Sequence, residues 1–410
     1  MITVDTKHTT GHDDFELNIP RKQLLTYHIA YDDEKEVEGI IFIIPGFGDD
    51  ASVGYQKNLI KYIAEKYNLL AVFVEYHALF ARLSDDKESA SYQFGRNDTE
   101  LLIKYLEMLD IKLDENNLEY LNIVETIDQR IQKLKSINEL DYDFKLDMWG
   151  TVCPYKDEYQ NFGVLQAVDI LTVLCDLKAL GYEKIINEKP IIALGSSHGG
   201  YIANLAMKFA PNTFDTIIDN SCYTKPPLNY IIGIETNPHF PEFMKFYRNI
   251  KMHLFTLTNW SSEKNDYNFS QAFYNIRDLT NNDQIKQLAM YATKTKIISY
   301  NSEYDKIGNY SDKKEYIESL IKNKYQCVLN TISSTDQIDG RLIKNLEHSM
   351  GMSIKALIDK EVPNLLHKKL SENMTDICLE STIEYDVGDN RKFIFDFNKT
   401  GLAAKVIEVK

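Results

Sequence analysis

Pro190-Ile-Ile-Ala-Leu-Gly-Ser-Ser-His-Gly-Gly-Tyr-Ile-Ala-Asn204 is the stretch on which the fold turns. Pro190–Leu194 is apolar on both alternating faces, the pattern of a strand covered on each side by helices. Gly199–Phe209 then repeats apolar residues at helical spacing. The join, Gly195-Ser196-Ser197-His198-Gly199, is a G-x-S-x-G pattern between strand and helix. That setting holds a serine on a sharp, strained turn with its hydroxyl at the sheet edge. The flanking glycines let adjacent segments approach without a Cβ collision. The following helix begins beneath Ser197, so its free N–H groups and positive dipole end point at any oxyanion formed there.

Outward from this stretch, short β-branched runs alternate with longer stretches of 3.6-residue period, which predicts an α/β fold with a mostly parallel central sheet flanked by helices. Strands are expected at 39–44, 69–74, 190–194, 216–218, 296–299 and 327–332, with helices at 54–66, 159–180, 199–209, 311–322 and 352–370. Phe15–Ile19 and Leu24–Tyr31 read as an antiparallel entry pair. Three segments depart from the alternation. Residues 82–145 read as a helical insertion, with Leu118, Leu121, Val124, Ile127, Ile131 and Leu134 at spacings of three and four. Residues 223–290, rich in Asn, Tyr and Phe, read as a loop-and-helix cap. Residues 371–410 read as a small C-terminal β appendage. The expected organisation is therefore core over 1–81, insertion over 82–145, core with the serine turn over 146–222, cap over 223–290, core again over 291–370, and the appendage.

The chain has 410 residues and a formal net charge of −15, with 44% apolar and 26% charged residues. Such a composition excludes disordered and collagen-like chains. The acidic balance argues against nucleic acid and anionic membrane as partners, because it lacks the Lys/Arg stripe that would release counterions from phosphate. Five scattered cysteines without a C-x-x-C pair signal neither a disulfide ladder nor a zinc knuckle and fit a reducing compartment. The polar, acidic start does not read as a secretory signal, and the apolar runs fall far short of a membrane span. A cytoplasmic protein is expected. Adjacent carboxylates such as Asp49-Asp50 and Asp85-Asp86 diverge, so no metal site is expected.

On these residues the chain resembles the α/β-hydrolase superfamily over roughly 24–370, interrupted by the insertion and the cap. Locally it resembles an uncharacterised bacterial α/β-hydrolase-like family of flagellated epsilon-class proteobacteria. The resemblance implies a serine, an acid and a histidine in that chain order at successive sheet edges. Five of the nine histidines lie at or after the turn: His198, His239, His253, His348 and His367. His348, in Leu346-Glu347-His348-Ser349-Met350-Gly351 between the last expected core strand and a helix, stands where the superfamily presents its base. His198 would act through its backbone N–H, whereas His239 and His253 fall in the cap and His367 in a Lys-rich helix end. Asp305, followed by an apolar residue and a glycine after the strand at 296–299, is the expected acid. Asp219 is the alternative and Glu303 a weaker one. Gly46 and Gly48 in Pro45-Gly46-Phe47-Gly48 suit the second half of an oxyanion hole, with Phe47, or else Gly48, pairing with His198. Tyr201 and Tyr223 are expected to line a substrate pocket.

The function these residues imply is a cofactor-free serine esterase acting on an acyl ester of a carbohydrate or another polar metabolite. Two alternatives stand beside it: an acyltransferase that passes the acyl group to a sugar hydroxyl, and a non-catalytic protein of the same fold. A peptidase would want a large N-terminal gate, for which there is no room before Leu24. The apolar face of the insertion could serve a homo-oligomer instead of a cap.

Overall fold

The computed structural model describes residues 1–47, 52–81, 89–113, 118–265, 267–291, 294–366 and 375–409. The chain divides into two compact units. The first comprises Met1–Leu79, Phe162–Pro226 and Phe269–Lys410, and the second Phe80–Asn161 and Pro227–Asn268.

The first unit is built on an eight-stranded sheet. In chain order its strands are β1 (Ile2–Thr9), β2 (Leu25–Asp32), β3 (Ile40–Ile44), β4 (Leu70–Glu75), β5 (Ile191–Ser196), β6 (Thr216–Asn220), β7 (Lys296–Ser302) and β8 (Gln326–Ile332). Their order across the sheet is β1-β2-β4-β3-β5-β6-β7-β8. β2 runs antiparallel to β1 and β4, and every later pairing is parallel. Every residue of β3, β4, β5 and β6 is buried, as uninterrupted apolar strands between helix layers must be. The helices are α1 (Val53–Tyr67), α2 (Val164–Leu177), α3 (His198–Phe209), α4 (Tyr310–Lys322) and α5 (Ile354–Glu361).

The mostly parallel α/β sheet expected from the sequence is thus present, with three local corrections. The partner of β2 is Ile2–Thr9 rather than Phe15–Ile19, which forms only an isolated bridge from Asp14 to Ile19. The Ile2–Thr9 strand alternates β-branched with polar residues at a sheet edge, and so lacks an apolar run. α2 starts at Val164, not Tyr159, because Phe162 and Gly163 adopt positive φ angles of 62° and 101° that no helix continues through. α5 is short because Pro363 follows it and the chain passes into a 3₁₀ turn.

The C-terminal strands Thr382–Gly388, Arg391–Asn398 and Gly401–Glu408 form an antiparallel sheet within this unit. One face is buried through Ile383, Tyr385, Val387, Phe393, Phe395 and Phe397. Phe395 stacks on Phe209 of α3 at 4.1 Å between ring centroids. That face therefore joins the core of the unit.

The second unit carries a four-stranded sheet, with Ser91–Gln93, Leu146–Cys153, Ile250–Thr256 and Phe243–Tyr247 side by side. Helices Arg96–Met108 and Tyr120–Ser136 belong to it. The central pairing, Leu146–Cys153 with Ile250–Thr256, is parallel and joins the two chain segments. Ser91–Gln93 falls in the expected helical insertion and Phe243–Tyr247 and Ile250–Thr256 in the expected cap, neither of which is expected to hold strands, and Leu146–Cys153 falls at the start of the segment expected to be core. Leu146–Cys153 alternates buried and open positions, but its charged flank hides the period. The apolar stripe of Tyr120–Ser136 packs into the unit's own core through Tyr120, Ile123, Val124, Ile127, Ile131 and Leu134. Leu118 and Leu121, counted in that stripe from spacing alone, are 57% and 50% exposed; Leu118 precedes the first helical turn. Among the described residues, no helix is long and apolar enough to cross a membrane.

Candidate active site

β5 ends at Ser196 and α3 begins at His198, so Ser197 alone makes the turn between them. Its backbone sits at φ 51° and ψ −119°, a conformation that costs a non-glycine residue about 1–3 kcal/mol and persists only where the surroundings impose it. The surroundings are visible. Ser197 N–H donates to the Asn220 carbonyl at the end of β6 at 2.7 Å. A Cβ on Gly199 would stand 1.8 Å from the Ile44 carbonyl oxygen, and one on Gly195 would stand 2.3 Å from the Gly199 carbonyl. The two glycines of the motif are where strand, helix and the end of β3 interpenetrate.

The Ser197 hydroxyl lies 2.8 Å from His348 Nε2, across 151 residues of sequence. His348 Nδ1 lies 3.0 and 2.9 Å from the two carboxylate oxygens of Asp305. Nδ1 facing a carboxylate carries the proton, which leaves Nε2 free to accept from the serine. Asp305 Oδ1 also accepts the N–H groups of Ile307 and Gly308, both at 2.8 Å. The apolar residue and glycine that marked Asp305 in the sequence are therefore the residues whose amides hold its carboxylate. Its side chain is wholly buried, whereas that of His348 is 20% exposed; the imidazole reaches solvent and the carboxylate does not.

The His348 loop is tied to the sheet by neighbours that the sequence reading did not pick out. The Ser302 hydroxyl at the end of β7 donates to the Leu346 carbonyl at 2.6 Å. Ser349 N–H donates to the Ser221 hydroxyl at 3.1 Å, and the Asn220 side-chain amide donates to the Ser349 carbonyl at 3.3 Å. Ser349, Met350 and Gly351 are all left-handed, with φ of 60°, 53° and 54°. That run folds the loop back, so that the Met350 carbonyl accepts the Lys344 N–H at 2.9 Å and Met350 is fully buried. Serine and asparagine at strand ends are common enough to carry no signal alone, which is why these anchors were missed.

Phe47 and Gly46 come from the loop after β3. A Cβ on Gly46 would lie 3.0 Å from Ser197 Cβ and 3.5 Å from the His198 nitrogen, so this loop lies against the serine turn. Tyr76 donates its hydroxyl to the Pro45 carbonyl at 2.7 Å. The Phe47 ring stacks on the His198 ring, 4.1 Å between centroids and 17° from parallel. Gly48 lies outside the described residues, as do the paired Asp49-Asp50 and Asp85-Asp86 and His367.

The other expected residues lie elsewhere. Asp219, the alternative acid, is fully buried and pairs with Lys313 Nζ of α4 at 2.8 Å while accepting the Ser299 hydroxyl at 2.9 Å. Its carboxylate is committed to that lysine and not to His348. Glu303 is exposed. Tyr201 does not line a pocket: its ring is fully buried and its hydroxyl donates to the Arg277 carbonyl at 2.8 Å. Tyr223 is buried as well, with its hydroxyl on His198 Nδ1 at 2.9 Å. Both tyrosines lie near the sheet edge that carries Ser197, but α3 and the segment after β6 turn them inward. His253 belongs to the second unit, where it bonds Asp147 at 2.7 Å and stacks on Trp149. His239 lies beside the same tryptophan, 6.2 Å between ring centroids.

An eight-stranded sheet in this order, with a serine on a strained strand-to-helix turn and a histidine and an aspartate on the loops after later strands, defines an α/β-hydrolase-fold protein. The chain belongs to the family described as Protein of unknown function (DUF2920), which it matches over residues 6–406. No curated protein matches it. Among solved structures it is similar to an acylaminoacyl peptidase from Pyrococcus horikoshii, with 11% identity and a TM-score of 0.42, covering 90% of this chain and 42% of that one. It is also similar to esterase B from Lactobacillus rhamnosis, with 10% identity and a TM-score of 0.41 over 90% and 86% of the two chains. A ferulic acid esterase shares 7% identity with a TM-score of 0.44 over 89% and 97%. The chain thus spans less than half the length of the peptidase.

Proposed function

We propose that this chain is a serine hydrolase of the carboxylesterase type that cleaves an acyl ester carried by a carbohydrate or another polar metabolite. The observation that carries the reading is the unbroken run of hydrogen bonds from Ser197 through His348 to Asp305. In this reading Ser197 Oγ attacks the ester carbonyl as its proton passes to His348 Nε2. Asp305 stabilises the imidazolium, and the amides of Phe47 and His198 receive the tetrahedral oxyanion. His348 then returns the proton to the leaving alcohol. Water, activated by the same imidazole, resolves the acyl-serine and regenerates the enzyme. No cofactor enters. A net charge of −15 disfavours polyanionic substrates and leaves neutral, polar esters.

The test is turnover of short acyl esters and O-acetylated sugars by wild type and Ser197→Ala, alongside labelling by a fluorophosphonate. Loss of both in the variant supports the reading, and labelling that persists without Ser197 removes it. Acyl transfer to an added sugar exceeding hydrolysis would assign the acyltransferase activity to the same serine. The narrower kinship with the epsilon-class bacterial family belongs to this proposal as well.

A further inference from the structure

The imidazole of His198, the residue after the serine, is bonded at both ring nitrogens by groups the catalytic chain does not use. Its Nε2 lies 2.6 Å from Gln166 Oε1 and its Nδ1 lies 2.9 Å from the Tyr223 hydroxyl. Gln166 stands in the first turn of α2 and is fully buried. Its amide has only one possible orientation: Oε1 also accepts Gly163 N–H at 2.8 Å, and Nε2 donates to the His77 carbonyl at 2.8 Å. An amide oxygen cannot donate, so the proton in the His198–Gln166 bond is on His198 Nε2, and Nδ1 accepts from Tyr223. The ring so fixed is the one on which Phe47 stacks at 4.1 Å.

We propose that Gln166 is a positioning residue for the oxyanion hole, acting through the His198 ring on Phe47. The inference rests on the serine-hydrolase reading above. The two amides of that hole lie on separate segments, Phe47 after β3 and His198 at the start of α3. An oxyanion hole works only when both donors are set within a few tenths of an ångström before charge develops. The stacked Phe47 and His198 rings join the two segments face to face. Gln166 and Tyr223 prevent the lower ring from turning, and Tyr76 holds the Pro45 carbonyl of the same loop. Every bond to Gln166 is fixed by a buried partner, so the glutamine sets one ring orientation and one donor spacing.

The test compares wild type, Gln166→Met, Tyr223→Phe and Ser197→Ala on a short acyl ester, with melting temperatures and the inhibition constant of a trifluoromethyl ketone, which forms a tetrahedral adduct on the serine. Gln166→Met is expected to lower kcat roughly 10- to 100-fold, short of the loss for deleting a donor outright, and to leave KM within about threefold. The ketone's inhibition constant should rise in proportion to the fall in kcat/KM, because both report binding of the oxyanion. A merely structural glutamine would change the melting temperature and leave the ketone's affinity intact. A folded Gln166→Met with kcat within about twofold of wild type, or a fall in kcat with unchanged ketone binding, overturns the proposal. If Gln166→Met does not fold, Tyr223→Phe is judged by the same criteria. Activity retained by Ser197→Ala would instead bring down the underlying reading.

Discussion

Lys313 Nζ stands 2.8 Å from Asp219 Oδ1, and neither side chain reaches water. The unit therefore carries two buried aspartates at neighbouring strand ends with opposite partners, a lysine ammonium for Asp219 and the His348 imidazole for Asp305. Removing one member of a fully buried ion pair leaves the other charge uncompensated. Asp219→Asn should cost about 3–5 kcal/mol in urea unfolding while leaving kcat of the folded protein within a few-fold. Asp305→Asn should do the reverse, lowering kcat by about 10⁴ through the wrong imidazole tautomer at a small cost in stability. A larger catalytic loss in Asp219→Asn would show that the acid had been assigned to the wrong strand.

Ser197 holds a left-handed φ of 51° that a Cβ resists. Alanine at the same place keeps the Cβ, and glycine does not. Ser197→Gly should therefore be more stable than Ser197→Ala by about 1 kcal/mol, the opposite of the usual order of these residues in regular structure. Both variants should be inactive. Equal midpoints in chemical denaturation would mean that the turn is not strained.

Gly199 has its missing Cβ only 1.8 Å from the Ile44 carbonyl oxygen. Backbone cannot swing aside as a flexible side chain does. Gly199→Ala should lose about 3 kcal/mol or more, a cost attached to forcing β3 and α3 apart. Soluble expression with an unchanged melting temperature would contradict the packing described for this turn.

Lys208 of α3 is buried, with its Nζ donating to the Ile276 carbonyl at 2.6 Å, and burial lowers its pKa from 10.5 to about 7. Between about pH 7 and 10 the folded chain holds a neutral amine while the unfolded chain still holds the proton. The unfolded state then binds more protons, so this residue makes stability rise with pH across that window, by at most about 1.4 kcal/mol per pH unit. Below about pH 7 its contribution is constant. Lys208→Met should remove the slope, and superimposable pH–stability curves for the two proteins would refute it.

How much of this was legible depended on whether each signal was local. The serine turn is complete within Gly195–Gly199, and Asp305 is marked by Ile307 and Gly308, whose amides bind it. His348 was found because few histidines follow the serine, and its loop falls where a strand gives way to a helix. The fate of Asp219 was hidden because its partner is 94 residues away, on helix α4. Gln166 was hidden for the same reason: a glutamine in the first turn of a helix reads as an ordinary cap. Tyr201 misled because proximity to Ser197 in sequence says nothing about the side of α3 on which a ring emerges. β1 went unread because Asp5 and Lys7 alternate with its β-branched residues, as suits a strand at the sheet edge.

The second unit is encoded in two visits of the chain, and its central pairing joins Leu146–Cys153 to Ile250–Thr256. A ribosome delivers the later strand about a hundred residues after the earlier one, at roughly 5–20 residues per second. For about 5–20 s the nascent Leu146–Cys153 segment has no parallel neighbour, and its open edge can be claimed by any other extended peptide. During the same interval Ile191–Ser196 and the serine turn emerge. Synthesis thus presents the Ser197 hydroxyl before the sheet of the second unit can close, and slowing translation between the two visits should expose the chain to aggregation more than slowing it elsewhere.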